Sequence, residues 1–246
     1  MKEQIYTIPV NDGFDADSEC PFCTMRETLE KNALSYTLGP SYMEQDVRDM
    51  TNASGFCREH YRKMYESRNR LGLALMVSTH MAAVRKEVCE AAAAPKKKRG
   101  LRRGNDGENR LSELVSRLEK SCFVCDKINT SMDRYFDTFF YLWKREAEFR
   151  EKVLRSKGFC LAHFERLLTL SEKKLSGAAR EEFANAVTEL WSSQSERVEK
   201  ELLWFISKFD QRFHNEPWGN SRDSLRRAII KTAAYDPEEG TEGNTL

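Results

Sequence analysis

Apolar residues recur at helical spacing along almost the whole chain, and the period breaks where glycine, proline or charge runs fall. From Pro21, the positions Phe22, Met25, Leu29 and Ala33 mark one face of a helix that Gly39-Pro40 stops. Met43, Val47 and Met50 predict a short helix before Ser54. A broad face from Tyr61 through Met64, Leu71, Leu75, Met76 and Val84 to Val88 then predicts one long helix from Cys57 to Ala94. The second half opens with a stripe of Leu111, Leu114, Val115 and Leu118. Beyond Cys125 the pattern continues through Ile128, Met132, Tyr135, Phe136, Phe139, Phe140 and Trp143. Phe149, Val153 and Leu154 predict a short helix, and Phe164, Leu167, Leu168 and Leu175 a longer one after Cys160. A long helix is expected from about Ala178 to Phe213, and a final one, N-capped by Ser221, carrying Leu225, Ala228 and Ile229. Only Ile5-Tyr6-Thr7-Ile8-Pro9-Val10 reads as β-rich, which predicts a short extended N-terminal arm. The expected fold class is therefore all-α, in two related helical halves.

The halves are related by a phrase written twice, Gly55-Phe56-Cys57-Arg58-Glu59-His60 and Gly158-Phe159-Cys160-Leu161-Ala162-His163. A Cys-x-x-Cys pair precedes each copy, Cys20 and Cys23 before the first, Cys122 and Cys125 before the second, with 33 and 34 residues between the second and third cysteine of each set. Cys20 falls at a helix N-cap, Pro21 at the first helical position, and Cys23 in the first turn, where the helix dipole favours thiolates. Cys57 and His60 are spaced i, i+3 and so share a helix face. Each half thus offers three thiolates and one imidazole, the donor set of a closed tetrahedral zinc site, and two zinc ions per chain are expected. An iron–sulfur cluster is the alternative cofactor, disfavoured by the histidine in each set. Spacing favours closure within each half. The other arrangement brings Cys20 and Cys23 to Cys160 and His163 across the halves.

A lone CxxC or a lone helical His is a weak signal; repetition of both at matched distance makes it specific. Six of the seven cysteines belong to these sets, and the seventh, Cys89, is expected to be a small buried or half-buried thiol. His80 and His214 receive no role. The aromatic stripe of the second half reads as core. Residues 1–94 and 108–235 form the two expected repeats, 95–107 a flexible basic linker, and 236–246 a disordered acidic tail.

With 40 Lys plus Arg against 39 Asp plus Glu, no global field points to nucleic acid or to an anionic membrane. Residues Lys96 to Arg103 concentrate basic charge and are expected at most to contact phosphates weakly. Neither a leader nor a membrane span is read in the chain, and a cytoplasmic protein is expected. Catalysis has little support. There is no His-Glu-x-x-His, glycine-rich phosphate loop or Gly-x-Ser-x-Gly elbow, and four ligands per set leave no open metal position. Cys20-Pro21-Phe22-Cys23 is similar to a glutaredoxin dithiol but lacks the βαβ context. The leading reading is a zinc-stabilised, non-catalytic binding or regulatory module, recognising a protein or small ligand through its aromatic-rich helices. The alternative is a metal-dependent redox protein.

The chain resembles a bacterial family of unknown function. The resemblance rests on Ile5 to Asp12, CPFC, Tyr36-Thr37-Leu38-Gly39-Pro40, GFCREH and Asn69 to Leu75 in the first half. In the second it rests on CFVCD, Phe139-Phe140-Tyr141-Leu142-Trp143, GFCLAH and Pro217-Trp218-Gly219-Asn220-Ser221. It implies bacterial cytoplasmic origin and the unity of the two halves, and carries no activity with it.

Overall fold

A computed structural model describes residues 5–93 and 106–238 of the chain, and among these it contains helices and no strand. In order they are α1 (Thr7–Asp15), α2 (Pro21–Leu38), α3 (Gln45–Ser54), α4 (Arg58–Glu66), α5 (Arg70–Ala93), α6 (Asp106–Lys120), α7 (Phe123–Arg145), α8 (Ala147–Arg155), α9 (Leu161–Lys174), α10 (Gly177–Ser207) and α11 (Ser224–Ala233). Short 3-10 turns occupy Pro40–Met43 and Gly219–Ser221. The all-α fold class follows from the period of the apolar positions.

Contacts divide the chain into two compact units that cut across the two sequence repeats. One comprises Met1–Glu27 with Met132–Leu246, the other Thr28–Ser131. The unit boundaries fall inside α2 and α7. In the first unit an aromatic core forms around Phe14, Phe22, Phe139, Phe149, Phe159 and Phe183, each at most 6% exposed. Phe22 stacks on Phe136 at 4.4 Å between ring centroids, and Trp143 meets Phe183 edge-on at 5.0 Å. In the second unit α3, α5 and α6 pack together, and Val47, Phe56, Met64, Leu73, Met76 and Val124 are buried.

Three local expectations are corrected. The N-terminal segment is not extended: Thr7–Asp15 is helical, with Val10 and Phe14 buried one turn apart. Phe14 lies within 6.3 Å, centroid to centroid, of the rings of Phe22, Phe139, Phe149 and Phe159. Burying that ring outweighs the β-propensity of its neighbours, and Pro9 sits in the first turn, where no intrahelical donor is needed. The long helix expected from Cys57 is two. Ser67 ends α4 in extended conformation, with its hydroxyl donating to the Met64 carbonyl. Asn69 restarts the chain, donating to the Leu38 carbonyl at 2.7 Å and accepting from Gly72 N–H at 2.9 Å. Cys89 is exposed, because the outer face of α5 carries it to solvent.

The aromatic stripe of α7 is core: Phe136, Phe139, Phe140 and Trp143 are buried, so these rings are not available to grip a partner. The segment 95–107 lies outside the described residues except for Asp106 and Gly107, which open α6. Of the acidic tail, Asp236 and Glu238 are ordered by ion pairs with Arg226, and the rest lies outside the described residues. Asp223, rather than Ser221, stands at the N-cap of α11.

One buried polar cluster organises the first unit. The Glu19 carboxylate, 3% exposed, takes both oxygens to Arg197 Nη2 at 2.8 and 2.7 Å. The ammonium of Lys231, on α11, donates to the Glu19 carbonyl at 2.7 Å and to the Lys157 carbonyl. Glu19 precedes Cys20 and Lys157 precedes the second Gly-Phe-Cys phrase, so one buried cation pins two loops at once. Burial draws the Lys231 pKa down, and the neighbouring Glu19 charge opposes that shift.

Candidate metal centres

Both centres are built at helix N-termini. In each Gly-Phe-Cys phrase the glycine adopts a positive φ, +59° at Gly55 and +78° at Gly158, which turns the chain and delivers the cysteine to an N-cap. Cys57 caps α4 and His60 lies in its first turn; Cys160 caps α9 in the same way, accepting from His163 N–H. The CxxC pairs stand at the starts of α2 and α7, where Cys20 O accepts from Cys23 N–H at 3.0 Å and Cys122 Sγ accepts from Cys125 N–H at 3.5 Å.

The eight residues singled out by the sequence gather into two sets of four, with the ligand atoms of each set within 4.8 Å of one another: Cys20, Cys23, Cys160 and His163, and Cys57, His60, Cys122 and Cys125. Closure within each repeat is thereby corrected. Each centre joins the CxxC of one half to the CxxH of the other. Helix lengths explain it. At about 1.5 Å per residue the 18-residue α2 carries the chain about 27 Å from Cys20, and the ten-residue α3 spans only about 15 Å of return. The same mismatch separates the 23-residue α7 from the nine-residue α8. The entropic preference for the shorter loop was weak in any case. Lengthening a closure from about 34 to 137 residues costs only about 1.2 kcal/mol.

The donor geometry fits a tetrahedral ion. Metal–sulfur and metal–nitrogen bonds of about 2.3 and 2.05 Å imply sulfur–nitrogen edges near ~3.6 Å and sulfur–sulfur edges near ~3.8 Å. In the first centre His163 Nδ1 lies 3.3, 3.5 and 3.1 Å from the sulfurs of Cys20, Cys23 and Cys160, and Cys23 Sγ lies 3.6 Å from Cys160 Sγ. In the second, His60 Nδ1 lies 3.2, 3.2 and 3.4 Å from Cys57, Cys122 and Cys125, and Cys57 Sγ lies 3.9 Å from Cys125 Sγ. Both imidazoles therefore turn the same nitrogen inward.

Proton affinities inside the clusters are strongly divided. Burial opposes ionisation of Cys122, but hydrogen bonding with His60 outweighs it and holds the thiol at about 6. Burial also opposes a charged His60, yet the Cys122 and Glu30 partners push its pKa up to about 10. His163 rises to about 9 against burial through Cys160 and Cys20. Cys20 is drawn down against burial by hydrogen bonds with Cys160, Cys23 and His163. Cys23 is pushed up by hydrogen bonding with Cys160 and Cys20, and Cys125 by burial and the Cys122 charge. In each cluster one sulfur is ready to ionise and another retains its proton, so loading a thiolate-binding metal must expel protons.

The surroundings of the two histidines differ, which the sequence did not reveal. His60 Nε2 meets Glu30 Oε1 at 2.9 Å, and Glu30 Oε2 takes Lys63 Nζ at 2.6 Å. That is the carboxylate–histidine arrangement that fixes a ligand's tautomer and raises its basicity. Among the described residues, His163 has no carboxylate at Nε2; its ring lies instead near Phe22 and Phe136, at 5.6 and 6.1 Å. Glu30 sits mid-helix in α2, far in sequence from His60, and no local motif marks it. His80 also has a place: its Nδ1 accompanies the Asn52 carbonyl at 2.8 Å, and its ring fills the space over Gly55.

One family match spans residues 1–239. The chain belongs to DUF6062, a family of unknown function. No curated protein and no solved structure matches it. For this DUF6062 member the two Cys3His clusters could hold metal ions, and no helix of the described residues is long and apolar enough to cross a membrane.

Proposed function

We propose that this DUF6062 chain is a cytoplasmic zinc protein in which two Cys3His sites are structural, and that it acts as a non-catalytic binding or regulatory module. The supporting observation is the closed donor set: three sulfurs and one imidazole nitrogen at tetrahedral edge distances, contributed by two helix N-termini. A zinc ion held this way is fully ligated by protein and clips together segments that are remote in sequence. Soft thiolates with one imidazole suit zinc better than hard cations. The partner is a protein or small molecule, and the basic segment 95–107 is at most a weak phosphate contact.

A redox reading, with iron–sulfur or metal-releasing thiolates, draws on the close approach of Cys23 to Cys160 and of Cys57 to Cys125. Elemental analysis with an absorption spectrum, on protein purified anaerobically without added metal, separates the two. About two colourless zinc ions per chain, lost with helicity on substitution of Cys57 and Cys160 by Ser, is the expected result. Iron with visible charge-transfer bands would move the assignment to redox chemistry, and the absence of any metal would overturn both.

A further inference from the structure

Beside the Glu19 cluster lies an open cleft of about 550 Å³, walled by Lys157, Arg197, Arg222 and Arg227, with Gln194 between them. The cations come from three parts of the chain: the segment before the second Gly-Phe-Cys phrase, α10, and the Pro217-Trp218-Gly219-Asn220-Ser221 turn with α11. We propose that this cleft binds a small phosphate monoester.

Two carboxylates, Glu201 and Asp223, also line it. Both are engaged by Arg227, Asp223 at 2.8 Å, so they offset part of the positive charge and leave four cations against two carboxylates around the cleft. Arg227 is 11% exposed, and its Nε is buried with no hydrogen-bond partner. That nitrogen is closed off from the cleft, and the two Nη atoms are held by Glu201, Asp223 and the Asn220 carbonyl, so Arg227 contributes positive charge and not a free donor. Gln194 gives its Oε1 to Arg197 at 2.8 Å, which leaves its amide N–H₂ without a partner among the described residues. Arg222 is exposed with its guanidinium 5.6 Å from the Trp218 ring, and the Lys157 ammonium pairs with the exposed Asp17, a surface pair that a ligand can displace. Arg197 is committed to Glu19 and contributes charge rather than donors.

Donors arriving from three sides suit a group with three terminal oxygens better than a carboxylate with two. The volume is several times that of a phosphate, leaving room for an organic remainder. The cleft also touches the first metal centre through the chain. Gln194 packs beneath Gly158, where an added Cβ would lie 3.6 Å from its Cγ, and Gly158 stands two residues before Cys160. An occupied cleft would therefore brace the loop that delivers a metal ligand.

The experiment is calorimetric titration of the full-length, metal-loaded protein with inorganic phosphate and with glycerol phosphate, at low ionic strength, with sodium chloride and succinate as controls. Saturable binding of both phosphates is expected, tighter for the ester. Arg222→Ala and Lys157→Ala, which change an exposed and a half-buried side chain and should leave the circular dichroism intact, are each expected to weaken binding about tenfold or more, as loss of a charge-assisted contact does. Heats no larger than those of chloride at matched ionic strength, unchanged affinity in both variants, or equal binding of succinate would each overturn the assignment.

Discussion

His60 turns Nδ1 toward three sulfurs and Nε2 toward Glu30, whereas His163 has aromatic rings beside it and, among the described residues, no such carboxylate. For Nδ1 to ligate a metal, Nε2 must carry the proton, and Glu30 accepts it. Glu30→Gln should lower metal affinity at the Cys57 centre about 10- to 100-fold and leave the Cys20 centre unchanged. Competition with a graded chelator reads this as one early-released ion out of two; simultaneous release from both centres would refute the role of Glu30. The two phrase glycines make a second contrast. Alanine at Gly158 must bear a φ of +78° but meets only ordinary contacts, and should cost about 1–2 kcal/mol. Alanine at Gly55 bears a φ of +59° and also collides with the His80 ring, which adds roughly 1–3 kcal/mol. Urea denaturation of the two variants tests the order. That the eight motif residues would cluster was legible in the sequence because thiols and imidazoles announce themselves by type and spacing. Glu30 was not, since a carboxylate on a charged helix looks like any solvated residue until the fold brings His60 to it.

At the scale of elements, the period of apolar residues located most helices, and it failed where a tertiary contact decided the outcome. Ile5 to Val10 alternates with β-formers, but the anchor of that segment is Phe14, beyond the misleading run. Phe14→Ala should therefore cost about 3–5 kcal/mol, by emptying a site enclosed by four rings, and a thermal melt would register it. A loss below 1 kcal/mol would mean that α1 is a dispensable arm. The segment just beyond α11 shows a related effect. Asp236 opens an acidic stretch that reads as tail, yet its carboxylate receives Arg226 Nε and Nη2, both at 2.7 Å. Those hydrogen bonds hold its pKa below the usual 3.8. A carboxyl whose folded pKa is depressed contributes its stability in full above the unfolded value and loses it as pH falls through the folded one. The pair is 40% and 24% exposed, so solvent screening limits the effect to under about 1 kcal/mol. Asp236→Asn should accordingly shift the urea midpoint slightly at pH 7, and the gap to wild type should close as pH drops below 3.8. A gap that persisted in acid would point to packing rather than charge.

For the whole molecule, the pairing of ligands carries the largest consequence. Each centre takes two ligands from residues before position 94 and two from residues after 105, and both are completed by chain segments 62 to 143 residues apart. The repeats are therefore a unit of sequence and not a unit of folding. A single repeat holds a CxxC and a CxxH whose helices point its four donors into two different centres. Closing such long loops costs little more than closing short ones, and if the proposed zinc ions are bound, a site of that kind is worth roughly 10–16 kcal/mol and would dictate a pairing that loop length disfavours. The chain cut between Ala93 and Asp106 tests this directly. Fragments carrying residues 1–93 and 106–246, expressed separately, should each fail to retain zinc through gel filtration and should show little thermal cooperativity. Mixed with zinc, they should co-elute as one species with about two ions and recover the helicity of the intact chain. If each fragment alone retained one zinc ion and melted cooperatively, the ligands would close within repeats. The two units, each built from both ends of that cut, could not then be the folded state.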